Sequence, residues 1–232
     1  MKPEAHGSHS RLSEKAYEAI KEYILTSELR DMPPGSRVDE KVLLSQLNMS
    51  RTPVREAMNR LVAEGFLQVV PYKGIFIAKK SREEIHSILM VRATLEGMAA
   101  RLATPNFLTR DFTKMRKIFQ PFVNSSLIEQ RYEFSNANIQ FHEFILERSR
   151  CGTLIDMSRS LFDHIKLIRF RTSAFLPRIQ SALAQHLELV DIFEKRDPEL
   201  AERLMRAHIE ESAQYIDEWE KDHGDAMGIN AR

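Results

Sequence analysis

The sequence predicts a mainly α-helical protein in two parts: three helices with a β-hairpin, then an all-helical bundle of six or seven helices. Three observations predict it. Apolar side chains recur at helical spacing through most of the chain. The one clear strand signal, FLQVV and IFIA around Pro71-Tyr72-Lys73-Gly74, lies between residues 66 and 78. A polar joint at Lys79-Lys80 is followed by Ser81-Arg82-Glu83-Glu84, the signature of a helix start closed by a capping box. A chain of 232 residues can bury two cores without metal or disulfide staples, and the expected domains are 11–79 and 82–222.

Along the first part, Ala16, Ile20 and Ile24, with Tyr17 and Tyr23 beside them, give one buried face to a helix from Leu12 to Leu29, ended by Pro33, Pro34 and Gly35. Asp39 is the expected N-cap of a second helix, EKVLLSQL. After the connector Asn48-Met49, Ser50 is the expected N-cap of a third, RTPVREAMNRLVAEG, closed by Gly65. Two short helices across a tight turn form a helix-turn-helix, and the hairpin with its basic tip reads as a wing.

In the third helix Val54, Met58 and Leu61 recur at i, i+4 and i+7 and are expected in the core, leaving Arg51, Thr52 and Arg55 on the outer surface near its start. That is where a helix-turn-helix meets the major groove. Arginines one turn apart can bond guanine acceptors there, and backbone amides can meet phosphate. Each basic residue taken alone also reads as an ordinary solvated charge. The order in which all of them arrive carries the nucleic-acid reading.

Charge adds little to it. Residues 1–80 hold 13 Lys and Arg against 10 Asp and Glu, while residues 81–232 hold 21 against 23. With 43% hydrophobic and 29% charged residues, the composition excludes disordered and collagen-like chains. No run approaches the ~18 apolar residues of a membrane span, and MKPEAHGSHSRLSEK lacks the apolar core of a secretory leader. The expectation is a cytoplasmic protein with no membrane partner. The lone Cys151 cannot form an internal disulfide and is given no role.

The run PPGSRVDEKVLLSQLNMSRTPVREAMNRLVAEGFLQVVPYKGIFI closely resembles the DNA-binding domain of the GntR family of bacterial transcription regulators, SRTPVREA being its most specific segment. The resemblance implies a winged helix-turn-helix on double-stranded operator DNA. It places Lys41 at a basic position of the second helix, Ser50, Arg51, Thr52 and Arg55 at DNA-contacting positions of the recognition helix, and Lys73 with Gly74 at the wing tip. Leu44-Ser45 and Asn48 depart from the family's usual Leu-Ala and Gly, at positions of packing and turn.

In the second part, helices are expected at 83–103, 109–121, 126–149, 153–175, 178–195 and 198–220, separated by Pro105, Pro121, Gly152 and Pro177, with Asp197-Pro198 as an N-cap and first-turn pair. His142, His186 and His208 each lie on or beside an inward face. Singly each reads as a hydrogen-bonded core histidine; three on different helices also fit a shared metal. Arg92 lies on an otherwise apolar helix face and needs a partner, either a bound carboxylate or Glu96 at i+4. Arg169 and Arg171 are weaker candidates of the same kind.

This half resembles the ligand-sensing domain of the FadR branch of the GntR family, on VRATLEGMAARLA, NIQFHEFIL and AQHLELVDIFEKRDPELAERLMRAHIE. The resemblance implies a homodimer and a divalent metal of the zinc, nickel or manganese class on His142, His186 and His208. Asn138 stands at a fourth ligand position where many relatives carry Asp, and brings no negative charge. Arg92 and Glu96 fall at characteristic positions of an effector pocket. The function expected is a repressor whose operator affinity a small organic acid switches. A metal-sensing regulator is one alternative. A three-histidine hydrolase is another, opposed by Leu146 standing where His142-Glu143 would need a second histidine to complete HExxH.

Overall fold

The computed structural model describes residues 6–26, 34–123, 127, 129–172 and 176–223; the side chains of 6–9, 26, 132, 168–172, 176–177 and 217–223 are outside the description. Contacts divide the chain into two units, residues 1–79 and 80–232.

The first unit runs α1 (His6–Thr26), β1 (Arg37–Val38), α2 (Glu40–Leu47), α3 (Arg51–Ala63), β2 (Leu67–Val70) and β3 (Gly74–Ile77). Asp39 caps α2, its carboxylate accepting from the Lys41 amide at 2.8 Å. The turn to α3 needs a left-handed residue, and Asn48, with φ 50°, takes that conformation more readily than most non-glycine residues. Ser50 occupies the N-cap of α3, but its hydroxyl makes no capping bond.

The core of this unit is Ala16, Ile20 and Ile24 of α1 against Val54, Met58 and Leu61 of α3, closed by Phe66 and Ile77. A polar clasp flanks it. The Tyr17 hydroxyl donates to Glu64 at 2.6 Å, and Arg60 lies 3.6 Å from the Tyr17 ring centroid while pairing with Glu14 and Glu64.

The hairpin is two strands of a three-stranded antiparallel sheet ordered β1-β3-β2. β1 pairs Arg37 with Phe76 and Val38 with Ile75. A two-residue strand has no periodicity to read, so the sequence shows only the hairpin. Gly74 pairs with Val70 as the first residue of β3 rather than closing a four-residue turn. The loop is therefore Pro71-Tyr72-Lys73, with the Lys73 amide on the Val70 carbonyl at 3.0 Å and Tyr72 at φ 62°. That is a turn with proline at its second position and positive φ at its third, where glycine is usual.

The second unit runs α4 (Arg82–Ala103), α5 (Thr109–Phe119), α6 (Arg131–Ser149), α7 (Gly152–Thr172), α8 (Leu176–Lys195) and α9 (Pro198–His223). Its start is the capping box, Ser81 Oγ accepting from the Glu84 amide at 3.2 Å and Glu84 accepting from the Ser81 amide at 2.8 Å. Expected 109–121 ends at Phe119, and residues 120–122 tighten to a 3-10 turn across Pro121. Expected 126–149 begins at Arg131, while 124–126 and 128 lie outside the described residues. Among the described residues the second unit carries no strand.

α4 buries one face along its length and meets α9 closely at Gly97, where a Cβ would fall 3.3 Å from the Glu202 carbonyl and 2.5 Å from Arg206 Cγ. The core is aromatic-rich, Phe107 packing tilted against Phe193 at 4.8 Å and Phe119 edge-on to Phe141 at 5.2 Å between centroids. No described helix is long and apolar enough to cross a membrane.

Leu61 is fully buried in the first unit's core. Leu61→Ala is expected to cost that unit about 2–5 kcal/mol, raising amide exchange in residues 10–79 while α8 and α9 keep their protection. Equal loss of protection in both units would contradict two separate cores.

Candidate functional site

Two assemblies of polar side chains stand out, one in each unit. In the first, the amino-terminal turns of α3 and α2, β1 and the start of β3 border a groove lined by Arg37, Lys41, Arg51, Arg55 and Gly74, with Asp39 and Glu40 among them. Ser50, Arg51, Thr52 and Lys41 are exposed, and Arg55, also exposed, holds Glu40 at 3.0 Å. Arg60, farther along α3, is committed to α1 and lies outside the groove.

The wing adds residues that sequence reading passed over. Arg37 on β1 lies against Gly74, where a Cβ would fall 3.3 Å from Arg37 Nε; with φ 114° this position suits glycine on two grounds. Tyr72 is fully exposed beside Lys73 and keeps its left-handed conformation with its ring in solvent. A large exposed aromatic at a conformation costly for it is a feature of contact surfaces rather than of packing. A single arginine in a two-residue strand carries no sequence signal; the tyrosine does, as an aromatic in a turn of otherwise turn-forming residues.

In the second unit, α6, α8 and α9 bring His142, His186 and His208 together. His186 Nε2 lies 3.3 Å from His142 Nε2 and 3.1 Å from His208 Nε2, and all three rings are buried. His186 is stacked flat on Phe119, 4.7 Å between centroids. Two rings are oriented from behind. His142 Nδ1 meets Glu96 Oε2, and His208 Nδ1 meets Gln185 Oε1 at 2.7 Å. With protons on those Nδ1 atoms, both Nε2 atoms present lone pairs toward His186.

One imidazole N–H cannot serve two acceptors at once, so the cluster lacks a positive centre between its nitrogens. A metal bound at about 2.0–2.1 Å to each nitrogen sets ligand nitrogens roughly 3.0–3.4 Å apart, as are the two pairs that His186 makes, and the three ligand atoms all lie within 4.8 Å of one another. The three side chains can hold a divalent ion.

Charge states agree with that use. Burial pushes the pKa values of His186 and His208 well below the usual histidine range, helped by neighbouring imidazoles and by Arg178 and Arg92. Burial also lowers that of His142, with Glu96 partly opposing it. For Glu96 burial acts upward, but Arg92 and His142 outweigh it and hold the carboxyl below its ordinary range. The histidines are thus neutral, the form that coordinates.

Beside the cluster lies a cavity of ≈ 100 Å³ lined by apolar side chains of α4, α6, α7, α8 and α9, and by Arg92, Ser135, Asn138, Arg178, His208, Ser212 and Tyr215. Asn138, one turn before His142, is half-buried on its wall. Arg92 pairs with Glu96 through Nε, yet its buried Nη2 has no partner among the described residues. Glu96 does not line the cavity: its two oxygens are taken by Arg92 and His142, which it holds in place. The side chains of Arg169 and Arg171 lie outside the described residues. Arg178 and Gln185 went unread, although they share the inward face of α8 with Ala182 at helical spacing.

The model of bacterial regulatory proteins of the gntR family matches residues 12–77, and that of the FCD domain matches 87–211, more than half of the chain. The chain belongs to the GntR family. This GntR protein is 29% identical over 178 residues to a probable D-xylose utilization operon transcriptional repressor of Paenarthrobacter nicotinovorans, covering 77% of this chain and 78% of that one. It is 23% identical over 192 residues to the transcriptional repressor RspR of Escherichia coli, covering 83% and 84%. Its fold matches that of E. coli McbR/YncC with a TM-score of 0.70 at 22% identity, over 90% of this chain and 98% of that one. It is a transcription regulator, of a family that binds operator DNA, and not an enzyme.

The depressed histidine pKa values carry a sign. In metal-stripped protein the folded form binds fewer protons than the unfolded form once pH falls below the unfolded histidine value of about 6.5. Stability is therefore fully present above that pH and is lost as pH falls, by up to about 1.4 kcal/mol per pH unit per histidine. Urea denaturation from pH 8 to 5 is expected to record this loss, and His186→Leu to flatten it. A profile that His186→Leu leaves unchanged would mean that the ring titrates alike in both states.

Proposed function

We propose that this GntR regulator is a repressor that binds its operator as a homodimer and is released when a small organic acid enters the cavity of the FCD unit, with a divalent metal held by His142, His186, His208 and Asn138. The observation that carries the reading is the convergence of three neutral imidazoles beside a cavity that also holds two arginine side chains. Such a metal would offer a ligand carboxylate an open coordination position. Glu96 and Gln185 hold two of the imidazoles in the coordinating tautomer. Arg92 Nη2 supplies a charged donor to the acid.

On the DNA side, Arg51, Thr52 and Arg55 enter the major groove, where the arginines bond guanine and the free Ser50 hydroxyl and helix amides meet phosphate. Lys41 adds a phosphate contact, and the wing tip, Tyr72-Lys73-Gly74 with Arg37 behind it, lies on the backbone. α4 links ligand and dimer: Arg92 and Glu96 face inward, while Val91, Met98 and Leu102, at i, i+7 and i+11, leave an apolar stripe exposed. A ligand that moves α4 moves that stripe and changes how two winged units are paired.

The deciding experiment is fluorescence polarisation with the regulator's own upstream DNA, metal-stripped and then resupplied with zinc, nickel or manganese, against a panel of small carboxylates. The expectation is salt-dependent, sequence-selective binding that one carboxylate weakens at least about tenfold. Arg51→Ala should cost about 1–3 kcal/mol on the native site and far less on scrambled DNA. Equal affinity for both duplexes would end the DNA reading, and an effect of metal alone would make the ion itself the signal. For the dimer, the double variant Val91→Glu, Met98→Glu is expected to halve the mass seen by light scattering; an unchanged dimer would place the interface elsewhere.

A further inference from the structure

Arg178, at the start of α8, is buried, yet its guanidinium is bonded only to neutral acceptors. Nη2 donates to the His208 carbonyl and to Ser212 Oγ, both at 2.8 Å, and Nη1 lies 3.4 Å from Gln185 Oε1. Among the described residues no carboxylate comes within ion-pair distance. Glu211, whose charge it feels, is instead bonded to Ser181 at 3.0 Å and to Gln185. A buried cation without an anion is costly to hold, and such groups are ordinarily paired. Arg178 lines the same cavity as Arg92, whose buried Nη2 has no hydrogen-bond partner among the described residues.

Charge balance extends the point. The cavity's arginines carry two positive charges; among the described residues the one carboxylate in ion-pair contact with either is Glu96, shared between Arg92 and His142, while Glu211 acts on Arg178 only from beyond ion-pair distance. The histidines contribute no negative charge, and a divalent cation would enlarge the positive excess. A monocarboxylate bound near the histidines would leave Arg178 unpaired.

We propose that the effector is a compact dicarboxylate, one carboxylate facing the histidines and the other held by Arg178 together with Arg92 Nη2, so that Arg178 sets selectivity for dianions over monoanions. The inference rests on the reading of this cavity as the effector site. Arg178 offers a planar fork that matches a carboxylate, and Ser212, already bonded to it, keeps that fork in place.

The test is calorimetric titration of the full-length protein, with zinc supplied, using acid pairs of equal chain length: propionate against malonate, butyrate against succinate, pentanoate against glutarate. In the native protein at least one dicarboxylate should bind about tenfold or more tightly than its partner. Arg178→Met should erase that preference while leaving monocarboxylate affinity within about threefold, and Arg178→Lys, which keeps the charge, should restore part of it. Circular dichroism and zinc binding at native levels check that the variants fold. Monocarboxylates that bind as tightly as dicarboxylates, or a preference that survives in Arg178→Met, would overturn the inference and leave the acid-binding cavity standing. If no acid of either class binds, the reading of the cavity falls as well.

Discussion

Glu96 lies inside the helical unit with 2% of its surface exposed, one oxygen on Arg92 Nε and the other on His142 Nδ1. A buried carboxylate is tolerated only when such partners satisfy it, and removing one member of a buried pair typically costs about 3–5 kcal/mol. Much follows from this arrangement. It sets the tautomer and direction of His142, so that its Nε2 points to His186. It uses Nε of the Arg92 guanidinium and leaves Nη2 for the cavity. Because the first two of these groups sit one turn apart on α4 and the third on α6, it also ties together the two helices that carry them.

The histidine cluster and the cavity are thus one polar inclusion in an otherwise aromatic core. Phe119 stacks on His186 and Phe141 packs nearby, excluding water and keeping the imidazoles neutral. Arg178 and Gln185 close the far side, linked to His208 through its carbonyl and ring. The first unit uses its polar residues differently. There the core is wholly apolar, the clasp of Tyr17, Arg60 and Glu64 lies at its edge, and the cations of the groove stay in solvent, where an anionic polymer can reach them.

How much of this was legible in the sequence follows from the range of the interactions involved. The buried faces of α1 and α3, the caps at Asp39 and Ser81 and the exposed Arg51, Thr52 and Arg55 depend on neighbours within a few residues, and the pattern of residues contains them. β1 was not legible, because two residues paired with a strand almost forty positions later leave no local trace. The end of α5 was misplaced by two residues because Pro121 is compatible with a 3-10 turn as well as with a helix end. The second partner of Glu96 was not legible either, because spacing shows that it can reach Arg92, not that its other oxygen meets His142 on another helix.

The sequence alone therefore determined the helices and their inward faces, the wing and its tip, and the family to which the chain belongs, since short-range periodicity, capping and an ordered motif encode all of these. Only the tertiary structure decided which inward polar groups meet. His142 and His186 are 44 residues apart, His186 and His208 are 22, and Arg178 reaches a carbonyl 30 residues away. Those approaches depend on how the helices of the bundle pack side by side. Helical periodicity fixes the face on which a side chain lies but not its partner across the core, because many packings bury the same face.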